Sequence, residues 1–455
     1  MDDITKIQIA GEVDALVDAL DAERCRHVAG LEAEPSLVSL FQGSARAAHR
    51  ETVAELRAAG EPELADRVAA LRAERAQAED EEAWRAAESA AQGAGPFGAI
   101  GLVDAELSAV REREVEDRAE YARAAAEACE VASQRREKAV EARARARAEV
   151  GLAPDWRAVV EGDAVLGASD EAWHELLGWT ARREMGMRPF PHGNLARADL
   201  LRLLALRRWS AAFRPGMLAL ELKAVFEKLG LDLGKVRIDA EIRPAKWGGA
   251  HVFGTRVAFR PSGGAPDWIE LFDAAGRALA AAHQRPHRRD AAFGHAIGWL
   301  LSSLVLEPRY LTERCDVDRR ELPDLLRGLR LRRLFVLRAR AAALRIATEV
   351  ERGMSGAAWR DGYRDAMTSA LGAVWDGVRA VRDADASAHR AALAGAGLGE
   401  ALRRSLVERF DEDWWRNPRT AEGLASLLAA GRLPEDPAAV PSLAAATLSG
   451  AMGSE

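Results

Sequence analysis

A chain of 455 residues is long enough for two or three core units, or for one large helical fold with two lobes. Apolar residues make up 48% and charged residues 30%, which excludes a disordered chain, and a net charge of −7 gives no footing for a nucleic-acid surface. Ala, Arg, Leu and Glu dominate while β-branched and aromatic residues are scarce, so the composition predicts a mainly α fold.

In chain order, residues 4 to 92 read as several amphipathic helices. In VAELRAAGEPELADRVAALRAERAQ, for example, apolar positions recur at helical spacing between Glu and Arg. GAGPFGAIG (93 to 101) is a Gly- and Pro-containing break. A long charged helix is predicted from about Leu102 to Val150, stopped by Gly151 and Pro154. Its alternating charge predicts an exposed, ion-paired surface. Its apolar positions are mostly Ala and give no sustained heptad for a coiled coil. Residues 156 to 230 continue helical, with turns at MGMRPFPHGN and FRPGM. KVRIDAEIRPAKWGGAHVFGTRVAFRPSGG then alternates apolar and polar residues between Gly and Pro, which predicts short strands at about 236 to 262. Helical pattern resumes at 266, with one helix to about 284 and another at about 291 to 306. These signals divide the chain into an N-terminal helical region (1–155), a second region (156–432) and a loosely ordered tail (433–455).

The chemistry-bearing residues are few. Cys25, Cys129 and Cys315 are widely spaced and have neither disulfide-framework nor zinc-ligand spacing, so they read as structural thiols. His283, His287 and His295 cluster in sequence, but Arg285, Arg288 and Arg289 among them disfavour a cation site. Trp414 and Trp415 read as anchors of a C-terminal helix. The Gly pairs at 248–249 and 263–264 read as turns around the strands. The acidic N-terminus lacks the basic and apolar regions of a signal peptide, and no apolar run reaches membrane-span length. A cytoplasmic protein that binds neither membrane nor nucleic acid is therefore expected.

One long stretch, IRPAKWGGAHVFGTRVAFRPSGGAPDWIELFDAAGRALAAAH, resembles the core of the thimet oligopeptidase/oligoendopeptidase F-like zinc peptidases. In a bacterial branch of that family, similar strands lead into a helix of the form LFHEAGHALHFAH. WSAAFRPGMLALELKAVFEKLGLDL (209–233), GWLLSSLVLEPRYL (298–311) and LRRSLVERFDEDWWRNPRT (402–420) resemble further family segments in the same order. The resemblance covers about 155 to 432 and, more loosely, the N-terminal part. It implies a thimet-oligopeptidase-like two-lobed helical fold around a long cleft, with one small β-sheet beside the former zinc helix.

The HExxH motif works because two histidines one helical turn apart meet one zinc ion and the Glu between them activates its water. Carried onto this sequence, the first histidine falls on Asp273, the Glu on Ala274 and the second histidine on Arg277, while Phe272, Gly276 and Leu279 keep the packing face. The third ligand falls on His295, and the stretch with the carbonyl-polarising Tyr falls around His389, where no Tyr is present. Arg277 cannot lose its proton to ligate zinc, and Ala274 supplies no base. The expectation is a pseudo-peptidase (gluzincin-like, HExxH degenerate) with no cofactor and zinc absent, in which Asp273, Arg277, His295 and His389 are the candidate cleft residues. Its partner would be a peptide or protein, with an active homologous peptidase as one form. Two alternatives are a non-peptidase enzyme reusing the cleft through Asp273, Arg277 and His295, and a helical scaffold working through residues 102 to 150. An Asp273–Arg277 pair, i and i+4 on one helix, would either close the old site or leave Arg277 free to hold an anion.

Overall fold

Helix α1 (Asp3–Val28) begins where the Asp2 carboxylate accepts the Thr5 N–H at 2.8 Å, filling one of the orphan donors of a helix start. Its Ile9, Val13 and Leu16 pack with residues of α2 (Leu37–Gly43), α3 (Arg50–Ala58) and α4 (Pro62–Ala90) into an N-terminal core. The break at 93 to 101 is an ordered antiparallel hairpin, β1 (Gln92–Gly95) against β2 (Gly98–Gly101). A Cβ on Gly93 would stand 2.0 Å from the Ala124 carbonyl oxygen, so only glycine lets the hairpin lie on the helix behind it. The computed structural model from which these elements are taken describes residues 1–187, 195–433 and 439–450.

The single charged helix expected over Leu102–Val150 is two helices, α5 (Leu102–Arg111) and α6 (Val115–Glu149). Between them the Glu112 carboxylate accepts the backbone N–H groups of Arg113 and Glu114, and buried Arg118 donates to the carbonyls of Glu112 and Arg113. Those local bonds compete with the helical ladder and end it. The helix α6 runs back antiparallel along α4, with Ala132 and Ala139 against Trp84, while Ala124 and Ala128 pack with Ala91, Leu102 and Ala105. Some of its charges form the exposed surface expected of them, among them the Arg123–Glu127 and Arg145–Glu141 pairs, and others face the rest of the chain. Arg118 pairs with Asp199, Arg143 with Asp385, Arg147 with Glu351, and Glu130 and Glu137 with Arg360, all across to the rest of the chain.

Helix α7 (Trp156–Met185) ends at Gly186, whose φ of 64° is the left-handed conformation glycine adopts freely. The remainder of the turn expected at MGMRPFPHGN, residues 188–194, lies outside the described residues. Next come β3 (Leu195–Ala196), α8 (Arg197–Leu204) and α9 (Pro215–Lys228), the last opened by the proline of FRPGM. The strands expected at 236–262 are β4 (Arg237–Asp239), β5 (Gly249–Phe253) and β6 (Arg256–Arg260), in the order β4-β6-β5, with β4 parallel and β5 antiparallel to β6. Leading away from the sheet are α10 (Ala265–Ala282), α11 (Ala291–Ser302) and α12 (Pro308–Arg314), then the long α13 (Leu322–Glu351). The chain closes with α14 (Gly356–Leu371), β7 (Ala373–Val374), α15 (Ala386–Phe410), α16 (Pro418–Ala430) and α17 (Pro441–Gly450). The strand β7 pairs in parallel with β3, so β1–β2 and β3–β7 are sheet elements that sequence reading did not anticipate.

The fold is mainly α, as expected, and a second core gathers α9, the three-stranded sheet, α10, α11 and the Trp414–Trp415 anchor. A third gathers α7, α8, α14 and most of α13. The tail expected to be loose contains α17, whose Ala444, Ala445 and Leu448 are buried in that third core. Small-residue spacing on a short Ala-rich segment gave no strong period, so its helix was illegible in sequence.

Glycines set the closest helix contacts. A Cβ on Gly276 of α10 would lie 2.9 Å from the Gly298 Cα of α11, and one on Gly395 of α15 would lie 2.3 Å from the His295 Cβ of α11. Valine at Gly276 or Gly395 is therefore expected to lower stability by about 1–3 kcal/mol or more, as overpacking does, read from the midpoint of urea unfolding. Alanine at exposed Gly11, where a Cβ meets nothing within 4 Å, should instead raise it by up to about 1 kcal/mol.

Candidate functional site

The turn into α10 is fastened by buried Asp267. Its carboxylate accepts the Ser262 N–H at 2.8 Å, the Ser262 hydroxyl at 2.9 Å and the Gly263 N–H at 2.7 Å. Gly263 and Gly264 have φ of 99° and 87°, which this turn needs and only glycine adopts without strain. With its start fixed, α10 presents Glu270, Asp273 and Arg277 to one side, and Phe272, Ala275, Gly276 and Leu279 to the core.

That side forms a wall of a cavity of about 220 Å³. His295 and Trp299 of α11 form a second wall, and Arg332, Arg333, Val336, Leu337 and Arg340 of α13 a third. The spacing 332, 333, 336, 337, 340 is one face of a helix. Val336 is exposed, so the cavity reaches solvent along α13.

Asp273, Arg277 and His295 thus line one cavity. Asp273 and Arg277 stand 3.6 Å apart, with about 29–30% of each side chain exposed. At that separation the two charges attract but share no hydrogen bond, so the pair is loose and does not fill the cavity. Burial pushes the Asp273 carboxyl up against the opposing pull of Arg277, and it pushes the Arg277 guanidinium down. His295 is held well below its ordinary value, first by burial and then by Arg277 and Arg340, so its imidazole is neutral. Glu270 accepts from Arg332, and burial raises its carboxyl. Arg333 donates to the Ser302 hydroxyl at 2.7 Å and lies 3.6 Å over the Trp299 ring, and burial brings it down to about 10.

The other expected positions fall elsewhere. Ala274 is buried in the core and is not on the cavity wall. His389 sits behind the wall: its Nε2–H donates to the Asp383 carbonyl at 2.8 Å, leaving Nδ1 to accept from Arg340 at 3.2 Å. His283, His287 and His295 do not converge. The His287 ring and backbone N–H both bond Asp14 of α1 at 2.8 Å, and Arg289 of the same loop pairs with Asp18 and Asp21. Cys25, Cys129 and Cys315 are all buried and free, and burial raises each thiol, Cys315 to about 12. Sequence reading missed Glu270, Arg332, Arg333 and Arg340. The arginine spacing in LRRLFVLRAR is visible on a helical wheel, but only the packing of α13 against α10 brings it to Asp273.

Zinc, which the resemblance associates with such a helix, does not suit these side chains. Among the described residues no group of three or more His, Cys, Asp or Glu side chains is placed to hold a metal ion. In the cavity itself Arg277 stands with Asp273 and His295 where a third neutral or anionic donor would be needed.

The whole chain is similar in fold to PZ peptidase A solved with an inhibitor, with a TM-score of 0.51 at 13% identity over 97% of this chain and 86% of that one. Two structures of proteins assigned as oligoendopeptidase F, one from Bacillus anthracis strain Ames, also match 97% of this chain. Their TM-scores are both 0.49, at 13% and 11% identity, over 85% and 84% of their own lengths. The chain has an oligopeptidase fold. No family model matches the sequence, and no curated protein does. Among the described residues no helix is long and apolar enough to cross a membrane.

The buried or half-buried imidazoles of His27, His251 and His295 give the fold a pH dependence of known sign. His27 and His251 are each held at about 4, against an ordinary 6.5, and His295 is lowered in the same direction. The unfolded chain takes up these protons near pH 6.5 while the native chain resists them, so this stability is complete above 6.5 and declines as pH falls below it. Urea-unfolding free energy should decrease from pH 7 to pH 5, and His295→Gln should flatten the slope by up to about 1.4 kcal/mol per pH unit. An unchanged slope would mean that folding does not lower the proton affinity of His295.

Proposed function

We propose that this chain is a pseudo-peptidase: a peptide- or protein-binding protein on an oligopeptidase fold that holds its ligand in the cleft without cleaving it. One observation carries the reading. A guanidinium, Arg277, stands 3.6 Å from Asp273 on the cavity wall where the resemblance places a zinc ligand. A guanidinium stays protonated and cannot ligate a cation, and its charge opposes one nearby. Two further features support it. Ala274 faces the core and gives the cavity no proton-transfer group, and of the three tyrosines, none lines the cavity. A partner of active homologous peptidases is one form of this function, and a cytoplasmic site of action follows the composition.

Purified protein should carry no stoichiometric zinc and should leave internally quenched peptides uncut at the buffer rate. One tightly bound zinc per chain, or turnover abolished by a chelator, would overturn the reading.

Restoring the ligand set tests the position of the former site. Asp273→His, Arg277→His and His295→Glu together should bind about one zinc per chain, measured by metal analysis after dialysis. Ala274 is best left alone, because a glutamate there would enter the core. A folded triple variant that binds none would show that these three positions never formed a zinc site.

A further inference from the structure

The charge balance of the Asp273 cavity is opposite to that of the molecule. The chain has 64 Lys and Arg against 71 Asp and Glu, yet the cavity wall carries four arginines (277, 332, 333, 340) against two carboxylates, Glu270 and Asp273. Glu270 is taken up by Arg332, and Asp273 meets Arg277 only loosely. Among the described residues, no carboxylate lies within ion-pairing distance of Arg333 or Arg340. Among the described residues, the side-chain hydrogen bond of Arg340 runs to the His389 Nδ1, which its partner carbonyl fixes as an acceptor, and no other hydrogen-bond partner of the Arg340 guanidinium is found.

A second polar cavity, of about 330 Å³, is also arginine-rich, but its guanidinium groups are engaged. Arg24 bonds Glu74 and Glu81, Arg143 meets Asp385, and Arg136 and Arg382 meet Glu88. Of these two cavities, the one at Asp273 has guanidinium groups without a carboxylate partner.

Size and lining narrow what fits. About 220 Å³ is room for roughly seven waters at their liquid volume, the scale of one side chain. Ile269, Leu337 and Leu393 give apolar contact beside the arginines, which suits a carboxylate on a short aliphatic stem. We propose that this cavity is a carboxylate site, receiving an acidic side chain or the free C-terminus of a bound peptide between Arg277 and Arg340. The proposal rests on the peptide-binding reading above. Arg277 can turn from its loose contact with Asp273 to a two-bond contact with the ligand, a geometry guanidinium groups favour. Asp273 then becomes the easier group to neutralise, since burial already raises it.

The test uses fluorescein-labelled alanine pentapeptides in anisotropy titrations of the full chain: one with a central glutamate and amidated end, one with a central glutamine and free end, and one with glutamine and an amidated end. The first or second should bind at least about tenfold tighter than the third, and which of them does identifies the source of the carboxylate. Arg277→Gln and Arg340→Gln should each remove about tenfold of that preference, and Arg277→Lys should retain part of it. Exposed Arg123→Gln on α6 should leave it unchanged, and circular dichroism should show each variant folded. Equal binding of all three peptides, or full preference in folded Arg277 and Arg340 variants, overturns the proposal. If no peptide binds, glutarate separates the two ideas. A rise in melting temperature that both arginine variants lose keeps the carboxylate site and sinks peptide binding, and no rise sinks both.

Discussion

Three helices meet at glycines, and the site exists because they do. Gly276 on α10 faces the Gly298 backbone of α11, while Gly395 and Gly399 on α15 face α11 from its other side. Each approach is closer than a methyl group allows, so α11 is held between two neighbours with almost no side-chain padding. A glycine in a helix interior costs about 1 kcal/mol against alanine, and here that cost is offset by dense backbone contact. The consequence for the site is positional. His295, one turn before Gly298, is carried to the same cavity as Asp273 and Arg277 because the backbones of α10 and α11 touch.

The second constraint is electrostatic. Much of the contact between the N-terminal helices and the rest of the chain is arginine–carboxylate pairing: Arg118–Asp199, Arg260–Asp104 and Arg379–Glu106 among them. Ions removed from water are costly unless they are paired and hydrogen-bonded, and these satisfy that condition by matching one partner to another across the interface. The Asp273 cavity breaks the pattern, with more guanidinium than carboxylate on its wall. In a folded protein that otherwise pairs its charges so thoroughly, the unbalanced place is where an external anion has the most to offer.

Periodic packing was legible in the sequence, and contacts between distant segments were not. The face of α10 with Phe272, Gly276 and Leu279 could be read because its spacing is that of a helix, and the strands at 237–260 because their alternation is set off by Gly and Pro. The convergence of Asp273, Arg277 and His295 was legible only through resemblance, since spacing alone links just the first two. The break at Glu112 went unseen because it is made by side-chain-to-backbone bonds and by Arg118, in a segment whose composition is helical throughout. Which charges of α6 pair across the interface was not legible, because such a charged face has the same pattern as one facing water.

The short loop joining α10 to α11 is bolted to α1: His287 and Arg285 reach Asp14, and Arg289 reaches Asp18 and Asp21. Those three aspartates are spaced 14, 18, 21, a single stripe, so the first helix of the chain acts as a tie-rod on the elbow between the two helices that bear the site. The N-terminal helix is therefore no mere cover. The joint between α10 and α11 is thereby anchored to the first helix of the chain by charged contacts on one face of α1.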